Sequence, residues 1–208
     1  MRFLTTALAA GLLVMTGACQ PRERTVFPAI EGVAVDVSTG WGVEGAWVSG
    51  DRTDETATTD DEGRFALALV KAADTRIPLP VSGVYRDTVG IEAQVDGARA
   101  YGPADFISID EAATSPVTLF LMGHEAAYAS ETIPEGCELT DVELYALQML
   151  ALEDKAVLRD ALAEDSEYAF AFEAWMDRTI VRRMAKRCDI STAQSLAWID
   201  MIDALSPH

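Results

Sequence analysis

Residues 30–69 read IEGVAVDVSTGWGVEGAWVSGDRTDETATTDDEGRFALAL. Val33, Val35 and Val37 alternate with small or polar residues, the two-residue period of a strand that buries one face. Thr39-Gly40-Trp41-Gly42 then breaks the run with two glycines, as a chain reversal requires. Val43, Ala46 and Val48 resume the apolar pattern, and Thr56 to Thr59 form a further short strand candidate. Asp60-Asp61-Glu62-Gly63 has the composition of a turn, after which Phe65, Leu67 and Leu69 alternate again. The stretch predicts a small antiparallel β-unit.

Toward the C-terminus the strand pattern loosens. Ile77 to Val81 contains two prolines and belongs at an edge or in a loop. Val84 to Val89, Ile91 to Val95, Phe106 to Ile109 and Val117 to Leu121 are predicted strands, and Ala100 to Asp105 a loop around Gly102-Pro103. About seven strands with turns at short intervals suit an antiparallel β-sandwich, here over 29–122. Trp47 is expected inside it. Trp41, between glycines, is expected on an exposed loop, where its ring can contact a sugar or a partner protein.

Gly32, Val35, Asp36, Thr39, Gly40, Val43, Gly45, Ala46 and Val48, followed by Thr59-Asp60-x-x-Gly63-Arg64-Phe65, resemble the opening of carboxypeptidase regulatory-like domains. The resemblance spans roughly 29–122 and is best over its first half. It implies a transthyretin-like (prealbumin-like) sandwich, generally without catalysis of its own. The shared residues are turn glycines and core valines, which specify a scaffold rather than an activity.

Residues 123–136 lose sustained period and carry Pro134 and two glycines, so a linker is expected there. Beyond it the period becomes helical. Thr140-Asp-Val-Glu143 has the form of a capping box, and Val142, Tyr145, Met149 and Leu152 step along one face. Val157, Leu158, Ala161 and Leu162 continue the pattern. Ser166 is placed to cap a helix whose stripe is Tyr168, Phe172, Met176, Ile180 and Met184, with Trp175 beside it. Ser191 opens a last helix, with Leu196, Ile199, Ile202 and Leu205 expected inward. Residues 137–208 thus predict a small α-helical bundle, and strands followed by helices predict an α+β chain of two segments.

At the other end, Arg2 and the apolar run Phe3 to Met15 have the form of a signal peptide over 1–18. Thr16-Gly17-Ala18-Cys19 follows and resembles a bacterial lipobox, which implies a diacylated Cys19 as mature N-terminus and durable membrane anchoring. The alternative is an ordinary secretory signal cleaved after Ala18. Gln20 rather than Asp after the cysteine implies, by the same resemblance, an outer-membrane lipoprotein facing the periplasm or the cell surface. Residues 19–28 are polar, end in proline and read as a tether. With Cys19 lipidated, Cys137 and Cys188 remain, an even number in an exported chain, and both fall at predicted helix boundaries where bundle loops meet. A disulfide between them is expected, contributing about 4 kcal/mol by loop closure.

The formal net charge is −18, from 34 acidic and 16 basic residues. Both halves share the acidity, and such a surface repels phosphate backbones, so nucleic acid is excluded as a partner. Of two histidines, His208 is terminal and His124 has only Glu125 beside it, so neither a zinc-protease motif nor a metal site is expected. Nucleophile elbows, phosphate loops and dinucleotide fingerprints are absent from the sequence. Asp60 to Glu62 is too short for a calcium loop and is better explained as a turn. Arg178, Arg182, Arg183, Lys186 and Arg187 form the one basic cluster, read as charges offsetting a helix C-terminus, though an acidic partner or lipid phosphate could use them. No catalytic residue and no cofactor is expected. The expectation is a non-catalytic, lipid-anchored envelope protein acting as a binding or spacing module, with an envelope protein or a glycan as partner. The alternatives are a carbohydrate-binding module using loops near Trp41, and an accessory subunit of an envelope peptidase.

Overall fold

A computed structural model describes residues 22–74, 85–107, 110–123 and 133–205. The signal peptide, Cys19, Ile77 to Val81, Ser108-Ile109, His124-Glu125 and His208 lie outside the described residues.

Nine strands precede the helices among the described residues: β1 Arg22–Phe27, β2 Ile30–Asp36, β3 Trp47–Gly50, β4 Thr56–Thr58, β5 Arg64–Leu67, β6 Val70–Asp74, β7 Arg86–Val95, β8 Ala98–Ile107 and β9 Val117–Gly123. Seven form one sheet in the order β4-β3-β7-β8-β9-β2-β5, while β1 and β6 pair as a separate two-stranded ribbon. The reversal after β2 is as expected: Asp36 N–H donates to Trp41 O at 2.9 Å, Val43 N–H donates to Ala34 O at 2.9 Å, and Gly40 takes φ +73°. The turn at Asp60 to Gly63 also forms. Asp60 Oδ1 accepts from the amides of Glu62 (3.1 Å) and Arg64 (2.7 Å), and Gly63 supplies φ +80°. This turn joins β4 to β5, the first and last strands of the sheet, so the sheet curls until its two edges approach each other.

Four strand expectations need correction. The sheet is not antiparallel throughout, because β2 pairs parallel with β9 from Gly32–Val117 to Asp36–Leu121. The presumed tether contains β1, which pairs antiparallel with β6 from Arg22–Asp74 to Phe27–Val70. The presumed loop at Ala100 to Asp105 is the middle of β8, paired with β7 along all ten residues. Pro103 is tolerated there because β8 pairs with β9 only at Ala98–Gly123 and Arg99–Met122, leaving its other side without a ladder. Trp47 is 40% exposed, and Ala46 and Val48 fill the interior instead, because Trp47 falls on the opposite face of the pleat from Val48.

The helices are α1 Asp141–Ala151, α2 Ala156–Glu164, α3 Ser166–Met176 and α4 Thr192–Asp203; α3 runs on as a π-helical stretch, Asp177–Met184, and a last α turn, Ala185–Arg187. The capping box at α1 is reciprocal, with Glu143 N–H donating to Thr140 Oγ1 (3.3 Å) and Thr140 N–H donating to Glu143 Oε2 (2.9 Å). Asp165, not Ser166, caps α3, its carboxylate accepting from the amides of Glu167 and Tyr168, both 2.9 Å. The stripe Tyr168, Phe172, Met176, Ile180, Met184 is buried throughout. In α4, Leu196 is 56% exposed and Trp198 is buried in its place. The helices pack on one another, α2 on α3 and α4 on α1, α3 and the π-helical stretch, while α1 and α3 also lie on the sheet, so one continuous core joins the two segments.

That joint is made by two tyrosines. Tyr145 of α1 donates its hydroxyl to Phe120 O at 2.8 Å, and Tyr168 of α3 donates to Thr118 O. Both carbonyls belong to β9 on the side that β8 has left, so phenols complete a ladder that a strand does not. Gly102 in β8 makes room: a Cβ there would stand 3.3 Å from the Tyr168 hydroxyl and 3.0 Å from Leu119 Cδ2. Burial pushes both hydroxyls well above the ordinary tyrosine range, so they remain donors.

Tyr145→Phe and Tyr168→Phe each leave a buried carbonyl without its donor and are expected to lower the unfolding free energy by about 1–3 kcal/mol. Urea midpoints measure this, with Tyr85→Phe, an exposed tyrosine, as a control that stays within about 0.5 kcal/mol of the parent. Unchanged midpoints in both buried variants would refute the role given to the hydroxyls.

Candidate functional site

Where the helices rest on the sheet they leave a cleft of about 630 Å³, within the range of small-ligand sites. One wall is sheet: Ser49 to Arg52 at the end of β3, Thr88 to Glu92 in β7, and Tyr101 and Gly102 in β8. The other is helical: Thr140, Val142 and Glu143 at the start of α1, Trp175 in α3, and Arg178, Thr179, Arg183 and Arg187 from the π-helical stretch and the turn after it.

An aromatic row supports the cleft from below. Tyr101 meets Tyr145 edge-on at 5.5 Å between ring centroids, Tyr145 meets Trp175 at 6.3 Å, and Trp175 meets Phe172 at 5.6 Å. Tyr101 also donates to Glu92 Oε1 at 3.4 Å, and burial followed by the Glu92 charge raises its phenol above the ordinary range. Asp51 and Glu92 make the sheet wall acidic, whereas the helical wall carries three arginines.

Those arginines differ in their partners. Arg187 donates to Glu138 O at 2.6 Å and pairs with the buried Glu143 carboxylate, which also serves the capping box. Burial pulls the Glu143 carboxyl upward, but Arg187 and the Thr140 donors outweigh it and hold the group below the ordinary glutamate range. On the sheet side, Arg52 is occupied by Asp87 at 2.8 Å and by Thr88 O at 3.1 Å. Arg178 and Arg183 have no ion pair among the described residues.

Cys137 and Cys188 are joined as a disulfide, with Cα atoms 5.5 Å apart. The bond lies beside the cleft: Cys188 directly follows Arg187, and Cys137 directly precedes Glu138, which accepts from Arg187. Trp41 is 77% exposed and does not line the cleft. Asp60, Asp61 and Glu62 bring their carboxylate oxygens within 4.8 Å of one another, but Asp60 is engaged by two amides and by Arg64, as a turn requires. The sheet wall was not foreseeable from sequence, because its residues come from three strands whose pairing sets the wall. The arginines of the helical wall were visible as a cluster, and the missed signal was spacing: Asp177/Arg182 and Arg178/Arg183 are charged pairs five residues apart.

Glu143→Gln keeps an acceptor for the capping box and removes the charge. At neutral pH it is expected to cost about 1–2 kcal/mol, from the lost charge-assisted bond to Arg187. A carboxyl held low in the folded state gives stability that is present above its unfolded pKa, about 4.3 for glutamate, and lost as pH falls through the lower folded value. The difference between parent and variant should therefore shrink on acidification below about pH 4.3. Denaturant midpoints over pH 2–7 check this, and a difference independent of pH would contradict it. Compared with models of protein families the chain matches none, and no curated protein is similar to it.

Proposed function

We propose that the protein is a non-catalytic binding module of a bacterial cell envelope, held to the outer membrane by lipid on Cys19. The observation that carries the binding role is the cleft between sheet and helices. It has the volume of a small-ligand site, an aromatic base and walls of opposite charge. Among the described residues its lining comprises carboxylates, arginines, hydroxyls, glycines and apolar side chains, a set suited to holding a ligand. The disulfide supports export to an oxidising compartment. In this reading the β-unit is a carboxypeptidase regulatory-like sandwich, with β4-β3-β7-β8 as one layer and β9-β2-β5 as the other. The join of only two residue pairs between β8 and β9 supports that division.

Cys19→Ser is expected to move the protein from the membrane to the soluble periplasmic fraction. Membrane association that persists in the variant, with cleavage still after Ala18, would refute the anchor. Peptidase, esterase and glycosidase substrate panels are expected to show no turnover above a heat-killed control. Reproducible turnover abolished by Asp51→Asn or Glu92→Gln would make the cleft an active site.

A further inference from the structure

The π-helical stretch determines which side chains reach the cleft. Five residues advance an α-helix by roughly 500°, which sets positions i and i+5 about 140° apart. In a π-helix the backbone bonds run from i to i+5, so those positions come onto nearly the same face. Ala185 N–H donates to Ile180 O in this pattern. Arg182 Nε meets Asp177 Oδ2 at 2.5 Å, a side-chain pair with the same spacing. One residue along, Arg178 and Arg183 share that spacing and both line the cleft.

The two arginine positions are thus alike in charge, close on one face and without carboxylate partners among the described residues. Like charges so placed repel, and π-helical stretches are rare and often found at functional sites. Elsewhere in this acidic chain the cleft's arginines are neutralised, Arg52 by Asp87 and Arg187 by Glu143. The disulfide and the bond from Arg187 to Glu138 O fix the end of the same helix against the start of α1, so the arginine wall is held in place rather than free to swing. Thr179, 8% exposed, adds a hydroxyl between them in sequence, and Trp175 one turn earlier adds an apolar face.

We propose that Arg178 and Arg183 bind a small multivalent oxyanion, a ligand bearing carboxylate or phosphate groups, in the cleft. This rests on the binding reading above and names the ligand class. Guanidinium groups take such oxygens in bidentate fashion, and two on one wall match a ligand with two anionic groups or one doubly charged group. The protein's net charge of −18 opposes the approach of any anion, so binding must come from this local pair and must be sensitive to salt.

The test is calorimetric titration of the full-length protein in detergent with citrate, pyrophosphate and uncharged trehalose, at two salt concentrations. Citrate or pyrophosphate is expected to bind and to weaken with salt. Arg178→Gln/Arg183→Gln should weaken that binding at least tenfold, whereas Arg182→Gln, which removes the same kind of charge outside the cleft, should stay within twofold. Without ligand, the double variant is expected to melt at or above the parent temperature, since a repulsion has been removed, and the anion should raise the melting temperature of the parent only. Absence of binding by both anions, or equal weakening in Arg182→Gln, would overturn the proposal. Trehalose binding that survives the double variant would leave the binding module standing and remove the oxyanion. Binding of pyrophosphate followed by its hydrolysis would keep the oxyanion and remove the non-catalytic reading.

Discussion

Two phenolic hydroxyls hold this molecule together where its backbone alone does not. A strand buried between neighbours must find donors for its carbonyls on both sides, and β9 finds β2 along one side but β8 only near its end, at Met122 and Gly123. On the other, Tyr145 and Tyr168 reach in from α1 and α3 to Phe120 O and Thr118 O. Helices anchored by hydrogen bonds to strand backbone cannot slide along the sheet as purely apolar surfaces can. Phe120, Phe172, Tyr145 and Trp175 then pack around the same point, which makes sheet and helices one core. The cleft is the space left beside that anchor, so its shape follows from where the tyrosines are pinned.

How much of this was legible in the sequence depended on how many faces each element covers. The strands around Ile30 to Leu69 alternate because much of one face remains in water, and the turn residues between them carry their own backbone logic, so the opening strands and the Asp60 turn could be read directly. β8 and β9 are covered on both faces, by the sheet's own interior and by helices, and alternation disappears: Gly102 through Phe106 are buried in succession. With Gly102-Pro103 inside it, β8 therefore looked like a loop. The amphipathic stripes of α1 and α3 were clear, yet a stripe states only that something covers it. Whether another helix or a sheet does so depends on distant pairings, which is why the sequence did not show that α1 and α3 also lie on the sheet. Trp198 is buried and Leu196 is not because a stripe of three-residue steps drifts around an α-helix: Leu196 stands about 120° from the buried Ile202, whereas Trp198, four residues before it, stands about 40° away.

The cleft was legible only in fragments. Cys137 and Cys188 could be paired by counting, and Thr140 and Glu143 by their three-residue spacing. That these four converge on Arg187 could not be inferred, since it depends on how α1 and the end of the long helix meet. Glu143 serves two partners at once, an amide at its own helix start and a guanidinium 44 residues away. A charged side chain placed this way couples a local feature of secondary structure to a tertiary contact, and the disulfide alongside makes the same connection covalently.

The order of the strands has a consequence for how copies of this protein coexist. An open sheet presents two edges whose unpaired backbone groups invite another chain to add a strand. Here those edges are β4, three residues long, and β5, four residues long, and they are consecutive in the chain, brought side by side by the Asp60 to Gly63 turn. An incoming chain finds little ladder on either edge, and the approach is flanked by Asp60, Asp61 and Glu62, with Arg64 on the strand itself. Short, adjoining and acid-flanked edges thus leave a neighbouring copy little backbone on this sheet to pair with.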